Sequence, residues 1–246
     1  MATTLSGSSY DFTLRPDLNV SLDHVGSERE PVLLIDGVMR HPEALIDYAA
    51  REVAFKPAWG PTDGFPGIRA PAPLNYVGSL VRAVSPMMEE AFALAKVKLS
   101  RAECNFSVVT LPPERLAPRQ RIPHVDTDDA LQFALLHYLC DPRFGGTAFY
   151  RHRATGFETI TPDRLADYEA ARDRELAETP PGPGYIIADT GHYDQIGAVD
   201  ARFDRLLIYR SRLLHSGRIT PGIPLPPDPR SGRLSANIFV NYRALA

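Results

Sequence analysis

The spacing of apolar residues changes partway along this chain, and the change divides it into two kinds of segment. Near the start, PVLLIDGV (31–38) is a continuous apolar run that reads as a strand, whereas HPEALIDYAAREV (41–53) spaces its apolar positions as one face of a helix. His41 stands near the cap of that helix and Pro42 at its first position, where a missing N–H costs nothing. After the Gly- and Pro-rich stretch WGPTDGFPGIRAPAP (59–73), VSPMMEEAFALAKVKL (84–99) predicts a second helix. Ser85 would cap it, Pro86 would open it, and Met88, Phe92, Ala95 and Leu99 would share its buried face.

Beyond this point the period becomes two. CNFSVVTL (104–111), ALQFALLHYL (130–139), GTAFYRH (146–152), GYIIAD (184–189), RLLIYRS (205–211) and RLSANIFVNY (233–242) are short, rich in β-branched or aromatic residues, and bounded by Gly, Pro or Asp. Six such strands predict an all-β sandwich or barrel. Between them TPDRLADYEAARDRELAE (161–178) has a Thr-Pro start and a mostly charged face, so it predicts an inserted surface helix. Residues 1–30 are polar and predict an irregular arm. Residues 31–246 are then one domain, an α/β support over 31–99 and a β core over 100–246.

Composition narrows the partners. With 246 residues, 44% hydrophobic, the chain can bury one large core. A net charge of −3 gives no positive field to hold nucleic acid or anionic lipid, so neither is an expected partner. The opening MATTLSGSSYDFTLRPD lacks the basic start and apolar centre of a signal peptide, and no apolar run reaches the length of a membrane span. A soluble, cytoplasmic protein is the expectation. Cys104 and Cys140 are the only cysteines, too few for a disulfide framework or a thiolate zinc site.

The candidate chemistry lies in IPHVDTDDALQFALLHYLC (122–140). His124 and Asp126 alternate with Val125, so their side chains share one face of an extended segment and can converge on one point. Chance alone yields such a spacing about half the time in a chain of this composition. A second one does occur, His192-Tyr193-Asp194, which reads either as part of a substrate mouth or as a turn. A facial set of two imidazoles and one carboxylate needs a third ligand from another strand. His215, in RSRLLHSGRI, is far enough along the chain to return beside His124. In the last strand, alternation puts Arg233, Ser235 and Asn237 opposite Leu234, Ala236, Ile238 and Val240. A cation beside a hydroxyl suits a buried carboxylate, although an ordinary surface Arg beside a Ser reads the same on this strand alone.

His124-x-Asp126, the strand ending Tyr138-Leu139, the Gly145-Gly146 turn, His215 and Gly232-Arg233-x-Ser235 together resemble, in order, the iron(II)- and 2-oxoglutarate-dependent oxygenases, most of all their prolyl-hydroxylase-like branch. The resemblance spans residues 104 to 243, and residues 31–99 look like the N-terminal support of that superfamily. It implies a double-stranded β-helix, a cupin-like jelly roll, with iron(II) on His124, Asp126 and His215. The distal carboxylate of 2-oxoglutarate would lie on Arg233 and Ser235, with the Tyr138 hydroxyl on the same carboxylate. It further implies dioxygen as a reactant and a small-molecule, amino-acid or peptidyl substrate that is hydroxylated or desaturated, Asp126 filling the position a halide would need. Two departures stand out. TLPPERLAPRQRIP (110–123) replaces the family's Tyr-containing turn, and PGIPLPPDPR (221–230) lengthens the path from His215 to Arg233, which makes Arg218 a second candidate anchor.

Other residues are open at this level. His137 reads as a core or sheet-face histidine, and His152 between Arg151 and Arg153 as a basic surface patch or an anion contact. Trp59, Phe65 and Arg69 belong either to a loop that closes over substrate or to a packed turn. A non-catalytic or zinc-binding jelly-roll module, or a cupin-like metalloenzyme that uses no 2-oxoglutarate, fits the same strands.

Overall fold

The computed structural model describes residues 10–60 and 64–245. Its elements run β1 (Asn19–Val25), β2 (Glu30–Asp36), α1 (Glu43–Arg51), β3 (Lys56–Trp59), β4 (Gly64–Pro71), α2 (Leu74–Ala91), β5 (Val97–Val109), β6 (Gln132–Tyr138), β7 (Gly145–His152), α3 (Leu165–Glu178), β8 (Tyr193–Asp200), β9 (Arg205–Arg210), β10 (His215–Ile219) and β11 (Arg233–Ala244). The first sheet has the order β1-β2-β9-β6-β11-β5-β4-β3 and the second β10-β7-β8, with antiparallel pairing throughout. This is the mainly β architecture expected from the period-two strands, in the jelly-roll form that the resemblance implied, with helices flanking it. No described helix is long and apolar enough to cross a membrane.

Alternation along the central strands sorts residues between two cores. Phe133 and Leu135 of β6, Leu206 and Ile208 of β9, and Leu234, Ala236, Ile238 and Val240 of β11 face α1 and α2, against Leu45, Tyr76, Leu80, Val84 and Met88. The intervening residues Leu136, Tyr138, Leu207 and Tyr209 join Phe149 and Leu213 in a second cluster. Both faces of β6 and β9 are covered, so these two strands read as near-continuous apolar runs, whereas β11 keeps its second face mostly polar. A third cluster lies under α3, where Tyr168 packs with Tyr150, Ile160, Tyr193 and Leu214.

Several elements differ from the sequence expectation. The polar arm expected over 1–30 contains β1, which pairs along its whole length with β2 from Asn19↔Asp36 to Val25↔Glu30; residues 1–9 of that arm lie outside the described residues. An edge strand held by backbone bonds and mostly exposed leaves little hydrophobic signal. The second helix starts at Leu74 and ends at Ala91, so Ser85 and Pro86 are interior, not initiating. Ser85 Oγ donates to Val81 O at 2.7 Å, a bond available inside a helix. The roughly 3 kcal/mol cost of an interior proline is offset by a buried stripe that starts at Tyr76, ahead of the proline. Ala95 and Leu99 lie beyond the helix, Leu99 on β5 and exposed.

The Gly/Pro-rich stretch contains most of the hairpin β3–β4 and adds two strands to the large sheet. Its prolines and glycines read as a loop, yet Gly67 is needed in a strand: a Cβ there would sit 2.0 Å from Val108 O. GYIIAD forms no strand, and the neighbour of β7 is instead the half-exposed β8.

Candidate active site

Residues 110–123 pass through two short helical turns and deliver His124 beside β10. There His124 and His215 exchange backbone hydrogen bonds of 2.9 Å in both directions. Asp126 N donates to Ser211 O at 2.9 Å, fixing the segment two residues on. This pairing brings the two rings to 4.4 Å between centroids. His124 Nε2 lies 3.8 Å from Asp126 Oδ1, and His215 Nε2 lies 3.7 Å from Asp126 Oδ2. One ligand atom from each of the three residues falls within 4.8 Å of the others.

Electrostatics leaves both imidazoles neutral. Burial pushes His215 down to about 4, against the opposing pull of its Nδ1 hydrogen bond to Leu213 O at 2.8 Å. A carbonyl only accepts, so Nδ1 carries the proton and Nε2 keeps its lone pair toward Asp126. His124 faces the open cavity while protein surrounds it; burial and the adjacent His215 push it down to about 4, with Asp126 opposing. Burial raises the Asp126 carboxyl above its usual range despite His124 and Arg69. Two neutral imidazoles and a carboxylate at the cavity wall form a donor set for a divalent transition-metal ion.

The site opens into a cavity of about 1230 Å³ that Arg69, Thr147, Tyr185, Tyr209, Arg233, Ser235 and Asn237 also line. Arg233, the first residue of β11, is 4% exposed and donates from Nη2 to Gly146 O at 2.8 Å. Its Nε is buried with no partner, and no carboxylate pairs with it among the described residues. Ser235 Oγ donates to Asn237 Oδ1 at 2.7 Å. Arg218 turns away from the cavity and pairs with Asp200. The long segment 220–232 lays Ile223 and Leu225 on the inter-sheet cluster, so the added length leaves Arg233 in place.

Tyr138 departs from the role its position implied. It is fully buried and its hydroxyl bonds Thr147 Oγ1 at 2.7 Å, so Thr147, not Tyr138, meets the cavity. Strand alternation carries the Tyr138 ring between the sheets, under the Arg233 guanidinium at 5.9 Å.

The remaining candidates separate in the same way. His192 and Asp194 stay out of the cavity: Asp194 pairs with Arg151 and Arg153, and His192 contacts Thr179 and Glu175. His152 is a buried residue, not a surface one, bonded through Nε2 to Glu175 at 2.9 Å between Tyr168 and Tyr193. His137 joins Tyr76 and Asp204 in a buried network that ties α2 to the sheet. Phe65 and Arg69 line the cavity from β4, whereas Trp59 does not; residues 61–63 of that stretch lie outside the described residues. Tyr209 is a site residue the sequence reading missed. It meets His215 edge-on at 4.8 Å, and its only signal was an alternation that also suited plain core packing.

A family model described as a family of unknown function (DUF6445) matches residues 16–240. No curated protein matches the chain. Among solved structures it is similar to HygX from Streptomyces hygroscopicus with nickel and 2-oxoglutarate bound, at 14% identity over 85% of this chain and 82% of that one, with a TM-score of 0.46. It is also similar to the non-heme alpha ketoglutarate dependent epimerase SnoN from nogalamycin biosynthesis, at 12% identity over 88% and 79%, with a TM-score of 0.43. An N-substituted L-amino acid dioxygenase from Burkholderia ambifaria AMMD matches at 10% identity over 92% and 94%, with a TM-score of 0.37.

Proposed function

This chain belongs to that family of unknown function, DUF6445, and from the site it carries we propose an iron(II)- and 2-oxoglutarate-dependent dioxygenase. It hydroxylates or desaturates a small-molecule, amino-acid or peptidyl substrate and releases succinate and carbon dioxide. One observation carries the reading: His124, Asp126 and His215 converge at the wall of a cavity that is also lined by a buried arginine, Arg233, with no counter-ion among the described residues. A binding module needs no such arginine, and a metalloenzyme without an anionic cosubstrate gives it nothing to pair with.

The residues fit both groups. An ion about 2.1 Å from each donor brings facial donors to about 3 Å of one another. With one ligand atom from each residue within 4.8 Å of the others, the set closes to this with at most roughly 0.9 Å of movement per atom. His215, its Nδ1 already committed to Leu213, presents Nε2 in the right tautomer. Arg233, with Nε unsatisfied and Nη2 on Gly146 O, holds a carboxylate that reaches it through the cavity. When bound, the ion and cosubstrate supply the oxidising chemistry. The protein's own part is to hold three ligands on one face, to neutralise the distal carboxylate where water is scarce, and to keep the substrate's reacting carbon within reach.

The test is spectroscopic. Anaerobic iron(II) followed by 2-oxoglutarate should give a weak visible charge-transfer band in the wild type, and none in Asp126→Ala or His215→Ala. Iron that binds without any response to the keto acid would refute the assignment.

A further inference from the structure

The cavity holds a second arginine that the ion and its cosubstrate do not use, and from it we infer that the substrate is itself a carboxylate, bound by Arg69. The inference rests on the reading above and extends it to the substrate.

Arg69 projects from β4, whose neighbour β5 pairs Ser107 with both Arg69 and Ser235. Its Nε donates to Ser107 Oγ at 3.2 Å, and its guanidinium lies over the Phe65 ring at 4.5 Å. Those contacts hold one edge and one face of the planar group. Neither Nη has a hydrogen bond, and no carboxylate pairs with Arg69 among the described residues. The free edge matches the two oxygens of a carboxylate.

Charge around the ion and its cosubstrate is balanced without Arg69. Two positive charges on the ion and one on Arg233 cancel the single negative charge of Asp126 and the two of 2-oxoglutarate. Arg69 stands outside that sum: burial disfavours its charge, and Asp126 favours it through space without an ion pair. The other cavity arginines are matched: Arg101 with Glu103, Arg119 with Asp173, and Arg172 with Glu169 and Asp173. Asp128 is half-buried and Asp129 exposed in the turn after Asp126, so the cavity is negative near that turn and positive at Arg69. Overall charge therefore does not select the substrate; the planar free edge of Arg69 does, and it fits the two oxygens of a carboxylate. At about 1230 Å³ the cavity exceeds the roughly 300–1,000 Å³ of common ligand pockets, leaving space for a second small molecule beside the cosubstrate.

The experiment uses 4-phenylbutyrate and its uncharged amide as matched probes. Both are titrated into full-length protein loaded with zinc and N-oxalylglycine, and binding is read by calorimetry or ligand-observed NMR. Wild type should bind the carboxylate at least tenfold more tightly than the amide. Arg69→Gln should abolish that preference, and Arg69→Lys, which keeps charge but loses the two-pronged edge, should retain part of it. Affinity for 2-oxoglutarate should change less than threefold in both. Equal binding of the two probes, or a preference that survives Arg69→Gln, overturns the proposal. So does an Arg69→Gln variant that loses 2-oxoglutarate affinity as strongly as probe affinity, which would assign Arg69 to the cosubstrate. Loading of the wild type with metal and N-oxalylglycine is scored first: failure there sinks the oxygenase reading and this one together, whereas loading without probe preference sinks only the substrate assignment.

Discussion

Replacing Arg233 with Met separates a functional arginine from a structural one. The side chain is 4% exposed, its Nε is orphaned, and its one hydrogen bond is from Nη2 to Gly146 O. Without cosubstrate the substitution loses that bond, about 1 kcal/mol net, and the contact with the Tyr138 ring, about 0.5–1 kcal/mol. It also removes a buried charge that has no counter-ion among the described residues, a cost of several kcal/mol after relaxation. Arg233→Met should therefore be no less stable than wild type by more than about 1 kcal/mol, and is expected to be more stable, as measured by urea unfolding without added metal or 2-oxoglutarate. Binding should move the other way. Losing one partner of a buried charge pair costs about 2–5 kcal/mol, which is roughly 30- to 5,000-fold in 2-oxoglutarate affinity, read by anaerobic calorimetry on the iron-loaded protein. A variant destabilised by more than about 3 kcal/mol that keeps its 2-oxoglutarate affinity within threefold would refute the reasoning, because Arg233 would then serve the fold.

Tyr138→Phe tests the reassignment of that hydroxyl: it should cost about 1 kcal/mol of stability through the bond to Thr147, while 2-oxoglutarate affinity changes less than tenfold. Gly145→Ala should destabilise by more than about 3 kcal/mol, since φ is +98° and a Cβ would meet Arg218 O at 1.9 Å. Gly156→Ala, at φ +73° with nothing within 4 Å, should cost only about 1–2 kcal/mol. Asp36→Asn should lose about 1 kcal/mol at neutral pH: Arg205 hydrogen bonds, then the charges of Arg205 and Arg202, hold the Asp36 carboxyl below its usual range. That contribution is present above the unfolded value near 3.9 and is lost as pH falls through the folded one, so the wild-type and Asn unfolding curves should converge in acid.

Legibility in the sequence followed burial. β6 and β9 were visible because both their faces are covered and their apolar residues alternate between two cores, and β11 because its apolar residues recur every second position on the face toward the helices. β1 and β8 were not, because edge strands with wet faces need only backbone partners. The start of α2 was misplaced because Ser85-Pro86 carries a local initiation signal, while the buried stripe from Tyr76 onward acts only once the helix meets the sheet.

The candidate site divides along the same line. The amino-acid order alone determined which donors were available, two histidines and an aspartate, and through strand alternation which side chains of β11 would face away from the apolar core. Only the tertiary structure decided that His124 pairs with His215 across a bridge, that Arg218 is spent on Asp200 and Tyr138 on Thr147, and that Arg69 arrives in the same cavity from a hairpin disguised by its prolines. The physical reason is that side-chain direction along a strand is local, set by a period of two. Which groups are left without partners depends on what the rest of the chain packs against them.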